Sequence, residues 1–191
     1  LKIKPGTCTV TPEGYVKANV EIYGGAILST WFDRPLAVAG RVIVKEDGIL
    51  KEKLIRIDKP VFILPNLCIH FHREVNDNCS YNKQTEMLPL MTMKEEGMEK
   101  EDYLLDLIDK ETGIHKEDIW EFELFLYEYQ KGIFTGSKEE FISASRIDDL
   151  AMVYAGLTAL SEAKDSGKPF KVFAAFDNEE VGSASAQGAH S

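Results

Sequence analysis

Residues 140–176 read as strand, helix, strand, and that order admits few folds. The short run "EFISA" precedes "RIDDLAMVYAGLTALSEAKDSGKP", in which Leu150, Val153, Tyr154, Leu157 and Leu160 recur at helical spacing and Gly167 and Pro169 mark the stop. The apolar run "FKVFAAF" follows and has the composition of a buried strand. Such a unit builds a parallel sheet with helix-covered faces. Ligands of these sheets sit beyond the carboxyl ends of the strands, which is where "DNEE" at 177–180 falls and where Asp148 falls after the preceding strand.

Upstream the pattern differs. From Thr7 to about Ile63, short apolar or alternating runs such as "YVKANVEIYG", "RVIVK" and "KLIRI" are cut by Gly24-Gly25, Asp47-Gly48 and Lys59-Pro60, and "KEDGIL" predicts a hairpin. "FILPNLCIHFHREVN" predicts a strand running into a polar loop, and "SYNKQTEMLPLM" an irregular segment. "KEDYLLDLIDKETG" predicts a helix carrying Leu104, Leu105 and Ile108 and stopped by Gly113. In "DIWEFELFLYEYQ", Trp120, Phe122, Leu124 and Leu126 alternate with Glu121, Glu123 and Phe125, which predicts a strand with one buried face. The 44% hydrophobic content over 191 residues suffices for a packed core.

The carboxylates of "DNEE" need an explanation. In a regular strand Glu179 and Glu180 point to opposite faces, so they serve one site only where the chain turns as it leaves the sheet; Gly182 permits such a turn. Clustered carboxylates repel one another and are costly to desolvate, which favours a divalent metal among them. One glutamate would then bind the metal while the other takes a proton from the attacking water. The alternative is that Asp177, Glu179 and Glu180 merely decorate a helix N-terminus, where negative charge is mildly favourable. Asp148 has the same two readings, ligand or helix cap.

Charge narrows the partners. A net charge of -10 with pI about 4.9 argues against nucleic acid and anionic membrane, which need clustered Lys and Arg. No apolar run approaches the roughly 20 residues that span a bilayer, and "LKIKPGT" is not a signal peptide. Cys8, Cys68 and Cys79 leave one thiol over in any disulfide scheme and match no zinc-finger spacing, so a soluble, reducing, cytoplasmic setting is expected. Gly24-Gly25 lacks the strand-GxGxxG-helix context of a nucleotide loop.

The motifs "FDNEEVGSASAQGA", "SASRIDDL", "YGGAILSTWFDRPLAVAGRVIV" and "IHFHREVN", in this order along nearly the whole chain, resemble the aspartyl aminopeptidase family of cocatalytic zinc exopeptidases. The resemblance implies an α/β zinc-peptidase sandwich interrupted by a largely β dimerisation domain, with dimers building a tetrahedral dodecamer. On this sequence that becomes a peptidase strand at 1–5, an inserted β-rich dimerisation and lid domain at 6–142, and an incomplete peptidase α/β domain at 143–191. It implies two zinc ions per site, peptide substrates and removal of acidic N-terminal residues.

Residue by residue, the resemblance makes Asp148 the aspartate bridging the two metals, Glu179 the general base and Glu180 a terminal metal ligand. Asp149 stands where the family usually has asparagine. His70 matches a histidine of the inserted domain that reaches the partner subunit's active site and holds substrate; it is also a candidate for direct zinc ligation. From the residues alone, His70 and His72 in extended chain would face the same way, an arrangement able to bind metal. His72, His115 and His190 are assigned local roles. Trp31, Phe32, Asp33 and Arg34 are expected in a subunit interface, with Asp33 and Arg34 paired. A His-Thr-Asp motif that the family carries before a segment like "LKIKP", and an Asp and a His beyond "AQGAHS", are not in this sequence, so an internal piece of a longer enzyme is expected. The alternative function is a non-catalytic oligomerisation module.

Overall fold

The computed structural model describes residues 1–191 apart from positions 7, 165, 166, 168, 169, 177, 178, 183, 185, 187, 189 and 191 and the side chain at 181. The chain divides into two units, Leu1–Gln130 and Lys131–Ser191.

In the first unit the alternating runs become antiparallel sheet. Asp47 and Gly48 both take left-handed backbone (φ 51° and 79°) and turn β5 (Leu36–Glu46) into β6 (Ile49–Phe62), the hairpin that "KEDGIL" predicts. A two-residue turn of that hand matches the right-handed twist of its strands. In chain order, β1 (Lys2–Ile3), β2 (Thr9–Val10), β3 (Tyr15–Lys17) and β4 (Val20–Glu21) precede this hairpin. It is followed by β7 (Leu90–Met93), α1 (Asp102–Thr112) and β8 (Ile119–Glu128). The main sheet has the order β4-β1-β8-β5-β6, and β2-β3-β7 form a smaller one. β7 closes a stretch expected to be irregular throughout.

Alternation in β8 buries Leu124 and Leu126 against Val38, Val42, Ile3 and Leu36. Trp120 departs from this face and is 66% exposed, because the β5–β8 register shifts between Ile43 and Val44 and its ring lies instead near Lys45 Nζ at 5.6 Å. Helix α1 adds Leu104 and Ile108 to the same core and stops as expected at Gly113, whose left-handed backbone (φ 72°) lets its N–H donate to the Asp109 carbonyl at 2.8 Å.

Gly40 is the tightest point of the sheet. It lies in β5 opposite Ile55 of β6 and Leu124 of β8, and a Cβ there would stand 2.1 Å from the Glu123 carbonyl oxygen and 3.0 Å from Leu124 Cα. Backbone on a central strand cannot swing aside, so Gly40→Ala is expected to destabilise the first unit by about 2–4 kcal/mol. A lowered urea midpoint at unchanged slope checks this.

In the second unit, β9 (Ile133–Thr135) pairs antiparallel with β10 (Phe141–Ser143), and α2 spans Ile147–Glu162. "EFISA" is thus a strand, but its partner is the neighbouring β9 rather than a parallel strand beyond the helix. The expected strand at 170–176 has no ladder partner among the described residues and carries no strand structure. A strand is held by hydrogen bonds to a neighbour, so an apolar run without one stays irregular. Phe170 and Val172 are exposed, and so are Leu150, Tyr154 and Leu157 on the apolar face of α2, which the spacing predicts to be buried. Phe173 does reach the helix: its ring occupies the space that a Cβ on Gly156 would fill.

Candidate active site

The three carboxylates singled out by the sequence all lie in the second unit. Asp148 sits at the start of α2 with non-helical backbone (φ -83°, ψ 117°), just after Arg146 in left-handed conformation, and the Asp148–Asp149 peptide is cis. Glu179 and Glu180 occupy a 3-10 turn, Glu179–Val181, closed by the Gly182 N–H donating to the Glu179 carbonyl at 3.0 Å. The chain therefore turns at these two glutamates rather than continuing as strand. With 3.0 residues per turn, successive side chains diverge by about 120°. Asp148, Glu179 and Glu180 are all exposed. Asp177 lies outside the described residues.

Among the described residues, no three His, Cys, Asp or Glu side chains gather closely enough to hold a metal ion. Carboxylates alone suit hard, weakly held cations rather than zinc. The donors that the described residues supply do not by themselves make a zinc site.

His70 lies in the first unit, in a tight turn rather than the extended segment that "CIHFH" suggests: the N–H groups of Phe71 and His72 both donate to the Cys68 carbonyl, at 2.9 and 3.1 Å. The backbone here is a turn, not the extended chain in which the two imidazoles would face the same way. His72 Nε2 instead lies 3.8 Å from Cys79 Sγ, a local contact, and His115 Nδ1 lies 3.7 Å from Asp109. All three cysteines are free.

The surroundings of this turn leave little trace in the sequence. Asp33 does not pair with Arg34; consecutive side chains diverge here, and Arg34 pairs with Glu128 of β8. Asp33, with φ 57°, receives the Asn66 backbone N–H on Oδ1 and the Asn66 side-chain amide on Oδ2, both at 2.9 Å. Those two donors hold its carboxyl below the usual carboxylate range. Phe32 is buried in the chain's own core and stacks on Tyr81 with ring centroids 4.5 Å apart, a place taken within the chain rather than in an interface. The Tyr81 phenol is pushed up, first by its hydrogen bond with Cys79 and then by desolvation. An aspartate before Arg-Pro is the one sequence hint of a left-handed turn at 33; the Asn66 contact, over 30 residues away, leaves no local signal.

With this geometry described, comparison with known proteins adds the following. The profile of the family described as aminopeptidase I zinc metalloprotease (M18) matches residues 1–191. The chain is 50% identical to a probable M18 family aminopeptidase 2 of Clostridium acetobutylicum, covering all of this chain and 44% of that protein. It is 34% identical to an aspartyl aminopeptidase of Aspergillus oryzae, covering 46% of it. Among solved structures, Chaetomium thermophilum mApe1 superposes with a TM-score of 0.85 at 35% identity, over 98% of this chain and 45% of that one. The S. cerevisiae mApe1 dodecamer gives 0.75 at 25% identity, over 98% of this chain and 43% of that one. The chain thus spans somewhat under half the length of these relatives.

Proposed function

The chain belongs to the aminopeptidase I zinc metalloprotease (M18) family, and on that premise we propose that the whole protein is a zinc-dependent aminopeptidase that removes N-terminal, acidic residues from peptides. The observation that carries this reading is a family match over the full 191 residues, with half of them identical to one M18 relative. It speaks for the enzyme over a non-catalytic oligomerisation module. The acidic preference rests on the resemblance and on the name of the Aspergillus relative.

Zinc, when bound to the whole protein, supplies Lewis acidity to the peptide carbonyl and to water. Glu179 would accept the proton of the attacking water and return it to the leaving amine. Asp148 and Glu180 would be carboxylate ligands of the zinc. His70 would hold substrate across a subunit boundary, in a homo-oligomer built from dimers; one structural relative, S. cerevisiae mApe1, is a dodecamer. A division into a peptidase strand at 1–5, an inserted β-rich domain over residues 6–142 and a peptidase domain over 143–191 fits these roles. The acidic chain surface and the free thiols accord with a cytoplasmic enzyme without nucleic-acid or membrane partners.

The test is zinc content and hydrolysis of peptides beginning with Asp, Glu or a neutral residue. Chelation should abolish cleavage and zinc restore it; an enzyme that cleaves undiminished after chelation would refute the metal-dependent reading. The 191-residue chain by itself is expected to retain far less than one zinc per chain through dialysis. Elemental analysis decides this, and stoichiometric zinc would contradict it.

A further inference from the structure

We propose that Phe32 and Asp33 form a clasp that positions His70, with Asp33 a positioning residue for substrate handling. This rests on the reading of His70 as a substrate-binding group.

The segment from Leu67 to Ser80 carries His70 but contains no strand or helix of its own. Ordering such a segment costs backbone conformational entropy at every residue, so its shape must come from anchors. The structure supplies them at both ends from two consecutive residues. At the entrance, the Asp33 N–H donates to the Leu64 carbonyl at 2.8 Å while its carboxylate takes both N–H donors of Asn66 at 2.9 Å. At the exit, Phe32 stacks on Tyr81 at 4.5 Å. Between them, His72 Nε2 and Cys79 Sγ meet at 3.8 Å and tie the two arms of the loop together. His70 sits in the turn immediately before that tie.

The left-handed backbone of Asp33 is what lets one residue do two things, since its N–H and its carboxylate then address the same stretch, 64–66. Aspartate tolerates that conformation better than most residues. Its charge is not engaged by the adjacent Arg34, which pairs with Glu128. Asp33 and Asn66 are both exposed, so the clasp adds little to the core. Its loss is therefore felt locally, in the loop, and not as unfolding. Phe32, buried at 8% exposure, is unsuitable for testing because its removal would open the core.

The experiment uses the whole protein. Asp33→Ala is expected to lower kcat/KM about 10- to 100-fold, the scale of a misplaced positioning group, with zinc content and Tm near those of the parent. Asp33→Asn, which keeps an acceptor for the Asn66 N–H, is expected to fall between. His70→Ala is measured beside it, and the double variant is expected to be no worse than His70→Ala alone, because Asp33 acts through His70. Amide exchange over 67–80 is expected to quicken in Asp33→Ala. Parent-like kinetics in Asp33→Ala, or single losses that multiply in the double variant, would overturn the proposal. A silent His70→Ala sinks the reading of His70 instead, and exchange then judges the clasp: unchanged exchange over 67–80 overturns it too.

Discussion

Glu179→Gln in the whole protein is expected to leave zinc content near normal and to cut turnover by roughly 100- to 10,000-fold, the usual contribution of a general base. The amide matches the carboxylate in size and fits the same 3-10 turn, Glu179–Val181, so only proton acceptance is removed. Glu180→Gln is expected to behave differently, because it replaces an anionic ligand by a neutral one: zinc is lost on dialysis and activity returns with added metal. The divergence of adjacent side chains in a turn of three residues is the physical basis for expecting two phenotypes from neighbouring positions. Metal analysis and kinetics on both variants are the measurement. Metal loss from Glu179→Gln with retention in Glu180→Gln would exchange the roles. Activity in both would reduce the pair to an acidic turn.

How far the sequence could be read depended on where each element finds its partner. The β5–β6 hairpin, α1 with its Gly113 stop and the buried face of β8 at Leu124 and Leu126 were all legible, because turn chemistry and periodicity act within a few residues. Composition predicts a strand at 170–176 because it reports a preference for burial, not the presence of a hydrogen-bonding neighbour, and none is found among the described residues. The exposed face of α2 has the same origin: amphipathic spacing shows that a helix has a side to bury, not that a partner covers it. The sequence aligns His70 and His72 only in extended chain, whereas two N–H groups converge on the Cys68 carbonyl and fold that stretch into a turn. The carboxylates at 148, 179 and 180 stand out as motifs, and their residue types fit metal binding and helix capping alike. The Asp33–Asn66 contact was invisible, since it joins residues 33 apart through an exposed pair with no periodic signature.

If His70 serves the active site of a neighbouring subunit, two individually inactive variants are expected to restore each other. In a dimer that joins a His70→Ala subunit to a Glu179→Gln subunit, the site of the first keeps its own Glu179 and receives the intact His70 of the partner subunit. The other site lacks both groups. Random mixing at equal amounts makes about half of all dimers mixed, each with one complete site of two, so about a quarter of parental activity should return. A histidine acting within its own subunit predicts no such recovery, because every site would then carry one defect whatever its partner. The recovery should also require subunit exchange, so mixing under conditions that keep the oligomers intact should yield none. The measurement is peptide hydrolysis after dissociating and reassembling the two variants together, with each reassembled alone as the baseline. Mixed oligomers verified by mass that stay at that baseline would place His70 outside the partner's site.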